Sequence, residues 1–221
     1  MATDHLAMLR LLTWLSPSFP VGAFSYSHGL EFAVHDQVVI SRAALAEWIE
    51  DLIGRGSLWN DTVLLAEAWH AVTEADGLRL RQTAELGGAM ALSAERHLET
   101  MDQGRAFSAA ARPWTDVFNC GYSTPYPVAV GAAAAAMKIG IEPVCVAHLH
   151  ACAANLVSAG IRLIPLGQSE GTHLMASLED LIIKVASKAA GSSLADLGSA
   201  TFAADMAAMR HETLPVRLFR S

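Results

Sequence analysis

The residues that come nearest to a chemical site are cysteines and histidines between positions 145 and 152. Cys145, His148 and Cys152 are spaced i, i+3 and i+7, so on a helix they would share one face, and His150 lies beside them. Thiolate and imidazole are ligands that zinc and softer transition metals prefer. One interpretation is therefore a helical metal-binding protein. We favour the other, a helix core, because free cysteine is among the most buried residue types and structural zinc sites usually draw ligands from two elements.

A second candidate for chemistry is the acidic pair Glu95 and Glu99, spaced i, i+4. Two carboxyl groups on one helix face could perform acid and base catalysis. Such pairs more often belong to a solvated helix face, and Arg96 and Arg105 nearby favour that interpretation.

The common catalytic motifs are missing from the sequence. There is no GxxxxGK[ST] phosphate-binding loop and no GxSxG nucleophile elbow. His211 and Glu212 begin like the HExxH motif of zinc proteases, but Pro215 stands where the second histidine is required and would break the helix. The sequence thus offers no motif of these enzyme classes and none that would hold a cofactor.

Composition excludes several other classes of protein. Hydrophobic residues make up 52% of the 221-residue chain and charged residues 17%, so intrinsic disorder is excluded. The net charge is −7 with no cluster of Lys and Arg, which argues against nucleic acid as a partner. The three cysteines form no CxxC pair and the N-terminus has no basic leader, so we expect a cytoplasmic protein. The 19 uncharged residues 143–161 contain histidine, asparagine and much alanine, which favours a core helix over a membrane span.

Helical periodicity dominates the chain. After the potential cap Ser41, the apolar residues of segment 45–53 recur at i, i+3, i+4, i+7 and i+8, which is one face of a helix. Similar patterns begin near Thr3, near Asn60 or Asp61, over 78–112 with a break at 87–88, over 128–139, from 143 to 164, from 172 and around 202–212. We expect an all-α fold of roughly eight to ten helices in a single domain over residues 1–221.

Two segments are unusual for a plain helical domain. Residues 16–31, SPSFPVGAFSYSHGLE, combine proline, glycine, serine and aromatic residues where a simple loop needs only a few polar ones. Residues 217–221, RLFRS, alternate basic and large apolar residues, whereas chain ends are usually polar and loose. We interpret the second segment as a docking element.

These two segments, at the two ends of an all-α chain of this length, resemble the UreF family of urease accessory proteins. Residues 16–31 are similar to the N-terminal motif of that family, and residues 211–221 to its C-terminal motif. Weaker similarities are Met101 to Arg105 and the PLGQ sequence at 165–168.

The resemblance implies a non-enzymatic scaffold for maturation of the nickel enzyme urease. Proteins of this family are all-α, dimerise, bind the accessory protein UreD (also called UreH) and recruit the GTPase UreG to deliver nickel to apo-urease. In the family the C-terminal segment becomes ordered when UreD binds. The implied partner-binding residues are Phe24, Tyr26, Glu31, Arg105, His211, Glu212, Arg217, Leu218, Phe219 and Arg220.

Overall fold

The structure is a computed structural model that describes residues 5–118 and 121–221. Within those ranges there is no strand, and the all-α prediction is confirmed. The helices are α1 His5–Trp14, α2 Leu30–His35, α3 Arg42–Arg55, α4 Ser57–Thr73, α5 Gly77–Ala89, α6 Ala94–Ala110, α7 Tyr126–Ala136, α8 Ile141–Leu163, α9 Gln168–Ser177, α10 Glu179–Ala190 and α11 Phe202–His211. Short 3-10 helices cover Ala23–Ser25 and Leu194–Asp196.

Helix ends follow local chemistry, with some differences from the predicted positions. The Ser41 hydroxyl accepts a hydrogen bond from the Ala44 amide at 3.2 Å and caps α3, as predicted. The break predicted at 87–88 lies at 90–93, where Ser93 caps α6, and the segment predicted to begin at Thr172 is two helices that meet at Leu178. Thr3, near which the first helical pattern begins, and residues 119 and 120, which include Cys120, lie outside the described residues.

The centre of the fold is the contact between α4 and α7. A Cβ atom at Gly131 of α7 would lie 2.1 Å from the main-chain oxygen of Leu65 in α4, so the two backbones touch where glycine has no side chain. The buried apolar cluster around them includes residues from Trp14 to Phe219. That continuity is consistent with a single domain over 1–221, which stays a prediction.

Helix α8 is long and apolar enough to cross a membrane by length and composition alone. Half of its most apolar window is buried inside the fold, including Leu149 and Leu156, and it packs against α10, α9 and α4. The prediction of a core helix for this segment agrees with that packing.

Helix α2 brings the two unusual segments together. Gly29 precedes α2 with φ +79°, and a Cβ there would lie 2.6 Å from the amide nitrogen of Ala208 in α11. A left-handed conformation and close contact with another backbone both require glycine at this position. Because α11 leads directly into residues 212–221, this contact places the C-terminal motif beside the N-terminal one.

We expect Gly131→Ala to lower the free energy of unfolding by about 1–3 kcal/mol, because the new methyl group would overlap the main chain of α4 and force the helices apart. The measurement is urea unfolding followed by circular dichroism. The matched control is Gly54→Ala in α3, where a Cβ has open space. It should stabilise the protein by up to about 1 kcal/mol, since alanine is the better helix former. Equal stability of the two variants would contradict the proposed close contact.

Candidate partner-docking site

The site is organised around the carboxylate of Glu31 in the first turn of α2. Glu31 is 8% exposed, and its oxygens accept hydrogen bonds from the amides of Leu218 at 2.7 Å and Phe219 at 2.9 Å. The ring Nε2 of His211 lies 3.0 Å from the same carboxylate. Burial acts to raise the pKa of Glu31, but these hydrogen bonds outweigh it and lower the pKa below its usual range. A charged Glu31 therefore ties the C-terminal segment to α2.

His211 connects this carboxylate to a second one. It is fully buried at the end of α11, and its Nδ1 lies 2.6 Å from a carboxylate oxygen of Glu95 in α6. The other oxygen of Glu95 accepts a hydrogen bond from the guanidinium of Arg217. Residues from α2, α6, α11 and the C-terminal segment thus meet in one ionic cluster.

The last residues of the chain are held by the N-terminal motif. The Arg220 amide donates to the carbonyl of Ser25 at 2.7 Å, and the Ser27 amide donates to the main-chain oxygen of Ser221 at 2.8 Å. The Ser221 hydroxyl also donates to Glu99 at 2.8 Å. Main-chain groups therefore make most of these hydrogen bonds. The contacts with the N-terminal motif depend more on the backbone conformation of the segment than on its side chains.

The aromatic residues of the site are covered by cations. Phe219 is 3% exposed and packs under the Arg162 guanidinium, whose carbon lies 4.1 Å from the ring centroid. Arg162 also donates to the carbonyl of Phe24 at 2.8 Å. Tyr26 is buried, and the guanidinium carbon of Arg220 lies 5.4 Å from its ring centroid. These contacts join the C-terminal segment to the end of α8 and to the 3-10 helix at 23–25.

Glu99 is a second buried acidic centre, next to the first. It is 2% exposed and pairs with Arg96, with His28 at 2.8 Å and with Gln103 at 3.1 Å. Burial acts to raise the pKa of Glu99, but Arg96 and His28 outweigh it and lower the pKa to about 2. The interpretation of Glu95 and Glu99 as a solvated helix face is therefore wrong. The two residues do share one helix face, but that face is covered by His211 of α11, by His28 before α2 and by the C-terminal segment.

The structure brings all ten predicted partner-binding residues into this one region. Tyr26, Glu31, His211 and Phe219 are buried and hold the segment in place. The exposed members are Phe24, Arg105, Glu212, Arg217, Leu218 and Arg220. Among these, Arg105 pairs with Asp102, whose other oxygen lies 3.8 Å from Arg220, and Glu212 accepts a hydrogen bond from the first amide of α6.

The helix face of Cys145, His148 and Cys152 packs in the interior of the fold. The sequence analysis favoured this interpretation over a metal site. Cys145 and His148 are buried, and burial raises the pKa of the Cys145 thiol to about 12, so this thiol is protonated at neutral pH. Burial also lowers the pKa of His148 to about 4, and its Nε2 lies 3.8 Å from the sulfur of Cys152. In the parts of the chain that the structure describes, no three or more His, Cys, Asp or Glu side chains are grouped to hold a metal ion.

Sequence reasoning missed Glu95, Asn155 and Arg162. Asn155 donates to the carbonyl of Tyr26 at 3.1 Å, and Arg162 contacts Phe24 and Phe219. Helix α8 therefore contacts both the N-terminal motif and the C-terminal segment. One signal was available in the sequence. Arg162 is the first charged residue after the 19 uncharged ones of α8, which marks the point where this core helix reaches polar partners.

Comparison with known proteins agrees with this architecture. The UreF family model matches residues 39–179. The chain is 54% identical over 217 residues to "Urease accessory protein UreF" of Rhizobium etli, covering 97% of this chain and 96% of that protein. It is 52% identical over 217 residues to "Urease accessory protein UreF 1" of Brucella canis, covering 97% and 94%. Both alignments cover almost the whole length of each chain. The chain therefore belongs to the UreF family of urease accessory proteins.

Proposed function

We propose that this accessory protein is a scaffold that binds UreD (UreH) through the face formed by residues 24–31 and 211–221 and recruits the GTPase UreG for nickel insertion into apo-urease. The observation that carries the proposal is the ordered C-terminal segment, which is held by buried Glu31 and His211 and leaves Leu218 and Arg220 exposed while Phe219 is buried. Membership of the UreF family supplies the pathway, urease maturation.

The outward face of the segment has the chemistry of a protein interface. Phe24, Val216 and Leu218 are 67%, 81% and 72% exposed, which is unusual for side chains of this size. Exposed Arg217 and Arg220 flank them in a chain whose net charge is −7. Apolar anchors with arginines at the rim are typical of binding hot spots, and guanidinium groups favour a partner surface with carboxylates.

The other parts of the proposal rest on sequence and family. UreG supplies the GTPase, since the chain contains no phosphate-binding loop. The three cysteines form no CxxC pair, and this observation, together with the acidic composition, supports a cytoplasmic location. Sixteen large hydrophobic side chains are exposed among the described residues, which supports self-association as a homodimer in addition to partner binding.

We expect Leu218→Asp to weaken UreD binding at least tenfold. A carboxylate at the centre of the apolar face would lose its hydration when the partner docks, and it would face the carboxylates expected there. The fold should be unaffected, because Leu218 is 72% exposed and its amide, not its side chain, bonds to Glu31. The affinity is measured by isothermal titration calorimetry with purified UreD.

The matched control is Leu78→Asp in α5, where the leucine is 66% exposed and distant from the C-terminal segment. It should bind UreD with wild-type affinity. If both variants bind equally well, the C-terminal face is not the UreD site. If both fail equally, the loss reflects surface charge in general, and the proposed face is again contradicted.

We expect the purified chain to neither bind nor hydrolyse GTP by itself, since it offers no loop of backbone amides to hold the phosphates. Fluorescent GTP analogue binding and phosphate release are the measurements, with UreG as the positive control. Hydrolysis that stays with this chain through two unrelated purification steps would contradict the division of labour between scaffold and GTPase.

A further inference from the structure

We propose that Asn155 and Arg162 of α8 are positioning residues that hold residues 24–26 in the conformation of the docking face. Neither is among the predicted partner-binding residues. The inference rests on the proposed function, since it concerns the N-terminal half of the same face. It does not depend on whether residues 216–221 are docked, because both side chains contact the N-terminal motif directly.

Three consecutive carbonyl groups, those of Phe24, Ser25 and Tyr26, each accept a hydrogen bond from a distant part of the chain. Arg162 donates to the first at 2.8 Å, and the side-chain amide of Asn155 donates to the third at 3.1 Å. The middle carbonyl accepts a main-chain hydrogen bond of 2.7 Å from the C-terminal segment. Helix α8 therefore holds the two outer carbonyls and leaves the middle one for the segment.

The backbone that carries these carbonyls has little regular structure of its own. The 3-10 helix Ala23–Ser25 is three residues long and follows Gly22, which has φ +74° and offers no side-chain cap. Short 3-10 helices have poor hydrogen-bond geometry, so neighbouring elements must fix their orientation. We therefore expect residues 24–26 to lose their fixed conformation when the contacts with α8 are removed.

Helix α8 is a rigid support for the two donors. Asn155 and Arg162 are spaced i, i+7 within Ile141–Leu163, so their side chains lie on one face of the helix. Between them, Leu156 and Ala159 are fully buried in the core. Groups mounted on a packed helix keep their geometry better than groups on a loop. The spacing thus brings two fixed donors to one short stretch of backbone.

Arg162 has no carboxylate that competes for its guanidinium in the described part of the chain. Arg105, Arg217 and Arg220 of the same site each pair with a carboxylate, whereas Arg162 forms no such pair there. A hydrogen bond from a charged donor is stronger than one between neutral groups. The full charge of Arg162 therefore acts on the Phe24 carbonyl.

The guanidinium makes its two contacts with different parts of the group. An N–H of Arg162 donates to the Phe24 carbonyl, and its guanidinium carbon lies 4.1 Å from the Phe219 ring centroid, a cation–π contact. A lysine ammonium is a point charge and has no planar face. Arg162 is thus fixed to the N-terminal motif and also forms the surface on which Phe219 packs when the C-terminal segment is docked.

The first test is amide hydrogen exchange of the isolated full-length chain, followed by NMR. The amides of Ser25 and Tyr26 donate to carbonyls of the preceding turn, so their protection reports the 3-10 helix and not the C-terminal segment. Asn155→Asp has nearly the same shape but lacks the donor, and Arg162→Gln is neutral and shorter. We expect exchange at both amides to be about threefold faster or more in each variant. Wild-type exchange rates in both variants would overturn the proposal.

The second test is UreD affinity, measured by isothermal titration calorimetry. Partner binding must order residues 24–26 in the variants, so Asn155→Asp and Arg162→Gln should each bind UreD about tenfold more weakly. Arg162→Lys retains the charge and a donor, so its affinity should lie between those of Arg162→Gln and the wild type. Arg162 is exposed, so its variants should fold even where a charge at position 155 lowers the midpoint of thermal unfolding. Wild-type affinity in variants with faster exchange would contradict a role in docking.

The matched controls are Arg55→Gln in the last turn of α3 and Gln82→Glu in α5, both at exposed positions outside the docking face. Both should retain the wild-type exchange rates and UreD affinity. If they lose as much affinity as the α8 variants, the effect belongs to surface charge in general and the proposal is contradicted. Failure of the proposed function is seen separately, as wild-type affinity of Leu218→Asp, whereas failure of this inference is seen without UreD, as unchanged exchange at residues 25 and 26.

Discussion

A buried carboxylate has lost its water, so its charge must be compensated by hydrogen-bond donors of the protein. Glu31 imposes that requirement on the fold. Gly29, two residues before it, packs against the backbone of α11, and this contact places the start of α2 beside the C-terminal segment. The donors come from residues 187 and 188 positions later in the sequence. Hydrogen bonds to a charged group contribute about 1.5–3 kcal/mol each, which is enough to order a short segment that has few other apolar contacts.

The same requirement explains why the site contains so many charged residues in a chain that has few. Glu31 in α2 and Glu95 in α6 both pair with His211 of α11. Glu99 in α6 pairs with Arg96 of its own helix and with His28. Removing any one partner leaves an uncompensated buried charge, so the cluster responds as a unit. Together with the main-chain hydrogen bonds of residues 220 and 221 and the close contact of Gly29 with α11, this cluster links the N-terminal motif to the C-terminal one.

Much of the fold was predictable from the sequence, because the spacing of apolar residues indicates an amphipathic helix. The stripe of α3 and its Ser41 cap are local features and were predicted correctly. Glu95 and Glu99 were not, since spacing shows that two residues share a face without showing what covers it. The same limit applies to Cys145 and Cys152, whose shared face could have been a metal site or a core. Contacts with residues more than a hundred positions away decided the first case, and packing of α8 inside the fold decided the second.

The alternation of residues 217–221 has a direct physical explanation in the docked segment. The segment bends at residues 218 and 219, so that Leu218 and Arg220 are exposed, while Phe219 and Ser221 are only 3% and 1% exposed. A slip of one residue would expose Phe219 and bury the Arg220 guanidinium, so the register must be specified. Two contacts specify this register. The amides of Leu218 and Phe219 both donate to the Glu31 carboxylate, and the Phe219 ring packs under the Arg162 guanidinium. Buried Glu31 therefore also determines which side chains the protein presents to its partner.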